Sequence, residues 1–101
     1  MKIIYTQKAL IDLDAVFDYI ADVIGMRATA TEVVTQIRES ISELKVFPKR
    51  HKVWQSEPWK SRGLRFFNVG NYTIFYLIND AAETICIERI IYSRRDIDRL
   101  L

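Results

Sequence analysis

An α+β domain, built as a two-helix hairpin packed on a mostly antiparallel sheet in the order β-α-α-β-β-β, is predicted by three observations. Two stretches in the first half of the chain repeat their apolar residues at helical spacing. Three β-rich runs separated by turn residues fill residues 64–92. A short strand-like run, Lys2–Tyr5, precedes both. At 101 residues the chain has room for one core, so residues 1–101 are read as a single domain with a short C-terminal tail.

The elements follow in order. Lys2–Tyr5 reads as a strand, and Thr6 after it is a good N-cap residue. Ala9, Leu10, Leu13, Val16, Phe17 and Ile20 keep a 3.6-residue period, while Asp12, Asp14, Asp18 and Asp22 take the other faces as a solvated surface; Gly25 supplies a stop. A second helix is expected over residues 27–45, striped by Ala30, Val33, Val34, Ile37, Ile41 and Leu44 and ended by Pro48. Two amphipathic helices with a tight link make an antiparallel hairpin whose stripes need a sheet to cover them. Residues 49–62 contain Pro58, Trp54, Trp59 and the basic residues Lys49, Arg50, Lys52, Lys60 and Arg62. They read as a loop with a short extended piece at 53–55, anchored over the core by its tryptophans.

Strands are then expected at 64–67, 72–78 and 84–92, joined by turns at 68–71 and 79–83. Residues 96–101 are too few to hold a helix alone and need a surface to dock on. In the last strand, strict alternation puts Ile85, Ile87, Arg89 and Ile91 on one face, and Cys86, Glu88, Ile90 and Tyr92 on the other. Apolar residues on both faces mark a covered strand. Arg89 must therefore meet a carboxylate, for instance one on the helix hairpin, or snorkel to the edge, or line a binding cleft.

Composition narrows the function. Half of the residues are hydrophobic (50%) and 28% are charged, the balance of a soluble globular protein. No apolar run approaches the roughly 20 residues of a membrane span, and the N-terminus lacks the hydrophobic region of a signal peptide. One cysteine, Cys86, excludes a disulfide framework and a Cys-based metal site, and a reducing cytoplasm fits best. One histidine, His51, expected to be exposed, excludes a two-histidine ribonuclease arrangement and a His-rich metal site. No phosphate-binding glycine loop stands ahead of a helix, so no cofactor and no metal are expected. Charge is uneven. Residues 1–48 hold five Lys or Arg against seven Asp or Glu, and residues 49–101 hold ten against six, so the second half is the one suited to a polyanion or an acidic partner.

The chemistry left open is basic and aromatic: Lys60, Arg62, Arg65, Arg89, Tyr92, Arg94 and Arg95, with Trp54 and Trp59 near in sequence. Guanidinium groups grip phosphate bidentately, and aromatic rings stack on splayed bases. RNA cleavage by 2′-hydroxyl attack needs a base, charge stabilisation on the phosphorane and an acid for the leaving oxygen. Tyr92 can serve in proton transfer only where arginines lower its pKa from about 10.

The motifs YIAD at 19–22, SISELKVFP at 40–48, EPWKSRGLR at 57–65, NYTIFYLI at 71–78 and ERIIYSRRD at 88–96 resemble, together and over nearly the whole chain, the RelE/ParE superfamily of bacterial type II toxins. The resemblance implies a compact α+β toxin with a curved sheet and a cognate antitoxin that wraps and neutralises it. Members of the RelE type cleave messenger RNA in the ribosomal A site without metal; members of the ParE type inhibit DNA gyrase. On the RelE-type reading, an mRNA interferase paired with a RelB/DinJ-like antitoxin, Arg65, Tyr92 and Arg94 are catalytic, and Arg95, Arg62, Arg89 and Lys60 bind RNA phosphate. The alternative is a ParE-type inhibitor with no chemistry of its own. The chain departs from the ribonuclease pattern at Thr73, where RNA-cleaving relatives carry an arginine, a loss that Arg62 or Arg89 would have to make good.

Overall fold

A computed structural model describes residues 1–101. Its elements are β1 (Lys2–Tyr5), α1 (Gln7–Asp18), α2 (Arg27–Ser42), β2 (Lys52–Val53), α3 (Trp59–Arg62), β3 (Arg65–Val69), β4 (Tyr72–Asn79), β5 (Thr84–Tyr92) and α4 (Ile97–Leu100). The five strands form one sheet in the order β1-β5-β4-β3-β2; only the β1–β5 pair is parallel. The α+β class, the helix hairpin and the mostly antiparallel sheet are therefore as expected. No helix is long and apolar enough to cross a membrane.

Local chemistry explains the element ends. Thr6 caps α1: its Oγ1 accepts from the Ala9 N–H at 3.0 Å, and its hydroxyl donates to the Glu88 carbonyl of β5, also at 3.0 Å. A cap of this kind is worth about 1 kcal/mol, and here it also ties the start of α1 to the sheet. The first helix does not run straight to Gly25; after Asp18 it widens into a π-helical turn, Tyr19–Val23, that keeps Ile20 and Ala21 buried. Gly25 then takes φ +81°, a left-handed conformation that side chains with a Cβ adopt at a cost. The second helix ends at Ser42, shorter than expected, and tightens into 3₁₀ turns at Glu43–Lys45 and Pro48–Arg50.

Two apolar clusters sandwich the sheet. The larger lies under the hairpin and joins Leu13, Val16, Ile37 and Ile41 to Ile74, Tyr76, Ile85, Ile87 and Ile90. The smaller covers the opposite face, where Leu64, Phe75 and Ile91 pack beneath Trp54, Trp59, Ile97, Leu100 and Leu101. Residues 49–62 are thus more ordered than a loop: β2 pairs with β3, α3 supplies a turn of helix, and both tryptophans sit on the second cluster as anchors. The tail survives by docking there, with Trp54 Nε1 donating to Asp98 Oδ1 at 2.9 Å and the Ser56 hydroxyl donating to Oδ2 at 3.2 Å.

Strict alternation fails in β5. The β4–β5 register pairs Phe75 with Arg89 and Tyr76 with Ile87, so Glu88 is an extra residue in a β-bulge. One inserted residue reverses the faces beyond it. Ile85 and Ile87 before the bulge share the hairpin side with Ile90 after it, whereas Ile91 belongs to the opposite cluster. Ile85, Ile87 and Ile91 do not share one face.

Candidate functional site

Beyond Ile87, β5 has no β1 partner on its outer edge, because the parallel pairing ends at Tyr5. Asp12 of α1 fills the gap. Its carboxylate accepts from Arg89 Nε at 2.7 Å, from Arg89 Nη2 at 3.1 Å and from the Ile90 N–H at 2.9 Å. Arg89 Nη1 donates to the Leu100 carbonyl. With side-chain exposures of 18% and 15%, Arg89 and Asp12 form a largely desolvated pair that clamps α1, β5 and α4 together. The hydrogen bond that Arg89 donates to Asp12 raises the Arg89 pKa, against the opposing effect of burial. All three guanidinium nitrogens have partners. Asp12 is therefore not on a solvated face, and sequence spacing carried the signal: it stands three residues after Ala9 and four before Val16, inside the apolar stripe of α1.

The rest of the end of β5 divides between two sides of the sheet. Tyr92 pairs in register with Tyr72, their rings 5.8 Å apart at 61°, at the mouth of a groove of about 980 Å³ between hairpin and sheet. Val16, Tyr19, Ile24, Met26 and Val33 form its apolar wall, and Arg95 stands among its lining residues. Burial, with Tyr92 and Tyr19 adding to it, holds the Tyr72 hydroxyl above its ordinary pKa.

On the other side of the same strand end sits Thr73, 3% exposed. Its hydroxyl donates to Asn68 Oδ1 at 2.8 Å and lies 2.9 Å from the Ser93 hydroxyl, which is left to donate to it. Around the position where a ribonuclease of this type is expected to carry arginine, the side chains are a small neutral network satisfied within itself.

The candidate residues do not converge on one point. Arg65 pairs with Tyr76, four residues along β4 from the Tyr72–Tyr92 pair, a displacement of roughly 13 Å at 3.3 Å per residue. There its Nη1 donates to the Lys49 carbonyl at 3.2 Å and to the His51 carbonyl at 2.6 Å. Arg62 lies over the Trp59 ring at 4.6 Å, and Lys60 is exposed on the same short helix. Arg94 and Arg95 are exposed in the turn after β5, where the Arg95 N–H donates to the Tyr92 carbonyl. His51 is not simply exposed: it is half-buried, its ring stacked on Phe67 at 4.4 Å, and burial lowers its pKa with Arg50 adding to the effect. No three His, Cys, Asp or Glu side chains gather as a metal-ligating group.

Beside Arg65, the fully buried Tyr76 hydroxyl donates to the Pro48 carbonyl at 2.6 Å, and burial pushes its pKa up to about 12. A phenol whose folded pKa lies above its unfolded value of about 10 lends stability that is complete below pH 10 and is lost as pH rises toward 12. Wild-type protein is therefore expected to lose stability steeply between pH 10 and about 12. Tyr76→Phe, less stable at neutral pH by about 1 kcal/mol, is expected to show a flatter alkaline limb in urea unfolding followed against pH.

The family model of the ParE toxin of type II toxin–antitoxin systems (parDE) matches residues 3–97. No curated protein matches the sequence. Among solved structures, a chain of the chromosomal ParDE toxin–antitoxin system from P. aeruginosa is 26% identical, with a TM-score of 0.73 over 91% of this chain and 95% of that one. A chain of the RelBE2 toxin–antitoxin complex from Mycobacterium tuberculosis, 20% identical, shares the fold with a TM-score of 0.68 over 90% and 95%. A family match that runs from β1 into the last helical turn, on a fold with this strand order, settles the kinship: the chain belongs to the ParE family of toxins of type II toxin–antitoxin systems.

Proposed function

We propose that this toxin acts by binding DNA gyrase and blocking it, with no RNA chemistry of its own, and that an amphipathic, acidic segment of its cognate antitoxin occupies the groove between hairpin and sheet. The observation that carries the first part is the neutral Thr73–Asn68–Ser93 network, which stands where phosphoryl chemistry would need a cation and a proton-transfer group. Support comes also from Arg89, held by Asp12 and Leu100, and from the distance of Arg65 from Tyr92. The family match agrees with it. The groove suits an antitoxin segment because its wall is apolar and Arg95 lies on its lining, so one amphipathic stretch can bury its apolar face and pair a carboxylate with the guanidinium.

Purified toxin is expected to inhibit gyrase supercoiling and to leave mRNA intact on translating ribosomes. Intact supercoiling together with cleaved mRNA would overturn the reading in favour of a RelE-type ribonuclease. Tyr92→Phe and Arg94→Ala sharpen the choice. Under a ribonuclease mechanism, loss of a proton-transfer group costs about 10²–10⁴-fold in cleavage rate; under the proposed one, induction of either variant still arrests growth.

A further inference from the structure

The far end of α2 carries a second surface that shares no residue with the groove. Val46 and Phe47, adjacent in the chain, are 86% and 60% exposed there. Single exposed apolar side chains are ordinary; these two stand together on a turn that is braced from beneath. Tyr76 holds the Pro48 carbonyl, Arg65 holds the carbonyls of Lys49 and His51, and the His51 ring stacks on Phe67. Just before them, Leu44 is fully buried. The projection is preorganised, which lowers the entropy a partner must overcome on docking.

Charge describes the partner. Residues 43–52 hold Lys45, Lys49, Arg50 and Lys52 against Glu43 alone, a net +3. Two of these cations already face carboxylates, Lys49 with Asp80 at 3.4 Å and Arg50 with Glu43 at 3.9 Å. Such exposed pairs contribute little to stability and rearrange readily. The cations alone would also suit a phosphate backbone, but the apolar pair that stands out beside them would gain nothing there. A protein pocket that is apolar inside and acidic at its rim satisfies both features. The α2 helix, 16 residues and about 24 Å long, separates this turn from the hairpin end of the groove.

We infer that Val46 and Phe47, with the exposed cations Lys45, Arg50 and Lys52 close to them in the chain, form the anchor by which the toxin docks into an acid-rimmed apolar pocket on its protein target. This rests on the reading that the toxin acts on a protein rather than on RNA.

Labelled toxin titrated with DNA gyrase, and separately with a short DNA duplex, tests the anchor, alongside induction of the same variants in cells. Phe47→Ala, and independently Lys45→Glu with Lys52→Glu, are expected to weaken gyrase binding about tenfold or more and to relieve growth arrest. Thermal unfolding of Phe47→Ala stays at the wild-type temperature, since the side chain leaves no cavity; Val46→Ser repeats the test at the neighbouring position. Equal gyrase binding by wild type and Phe47→Ala overturns the inference. If wild-type toxin does not bind gyrase, the gyrase reading fails and growth arrest decides the anchor. Arrest lost in Phe47→Ala at unchanged soluble yield upholds it; arrest retained overturns it. Duplex binding that the charge reversals abolish and Phe47→Ala spares assigns the turn to nucleic acid and overturns it as well.

Discussion

Asp12→Ala is expected to lower stability by about 3 kcal/mol and the melting temperature by roughly 10–20 °C, far more than any other carboxylate replacement in α1. Removing the carboxylate strands the Arg89 guanidinium and the Ile90 N–H at once, and neither is open enough to water to recover its solvation. Asp12→Asn, which keeps an acceptor for the Ile90 N–H, should cost less. Replacing Asp12 and Arg89 together by leucine should return the part of the loss that comes from the stranded charge, while the Ile90 N–H stays without its acceptor. Urea unfolding of wild type, Asp12→Leu, Arg89→Leu and the double variant forms a double-mutant cycle. A loss below about 1 kcal/mol in Asp12→Ala would show that the pair is not what holds α1 to the end of β5.

Phe75→Ala is the second large effect, at about 3–5 kcal/mol. Phe75 is fully buried, edge-on to Trp54 at 5.3 Å and stacked with Phe66 at 6.2 Å, in the cluster that α4 covers. Emptying this site removes the floor on which Ile97 and Leu100 rest. The tail should therefore become a protease target while the hairpin side of the sheet stays folded. Limited proteolysis with mass analysis reads this directly: cleavage confined to the last residues is expected. Cleavage spread evenly along the chain would show that the two apolar clusters unfold as one unit.

Much of this was legible in the chain. The stripes of α1 and α2, the Thr6 cap, the strand runs and the need for a docked tail all come from local periodicity and turn chemistry, and the structure has each of them. What stayed hidden depends on inserted residues and distant pairings. Nothing in ICIERIIY marks Glu88 as a bulge, because the insertion exists only against the register of β4. The short β2 was legible only as an extended piece, expected at 53–55 and found at Lys52–Val53, since two residues carry no period to fix its bounds. Among the candidate residues, Arg65 and Tyr92 look like neighbours once their strands are known to share a sheet. Their four-residue offset along β4 is a property of register, which composition does not express. Arg89 was ambiguous for the opposite reason: its partner lies 77 positions away in the chain.

The parallel pairing of β1 with β5 has a consequence for how the molecule comes into being. The strand made before the other four is an edge of the finished sheet, and it needs residues 84–87 of the strand made after them. The Thr6–Glu88 and Asp12–Ile90 bonds wait on the same late segment. Contacts spanning about four-fifths of the chain are slow to close, and translation delivers only about 5–20 residues per second. For seconds after its N-terminus exists, each nascent copy carries an amphipathic hairpin without the strand that anchors it, and Arg89, Tyr92 and the arginines after it do not yet exist. Until β5 is made the sheet lacks the strand that joins β1 to β4, so the toxin fold cannot close before Thr84–Tyr92 has been synthesised.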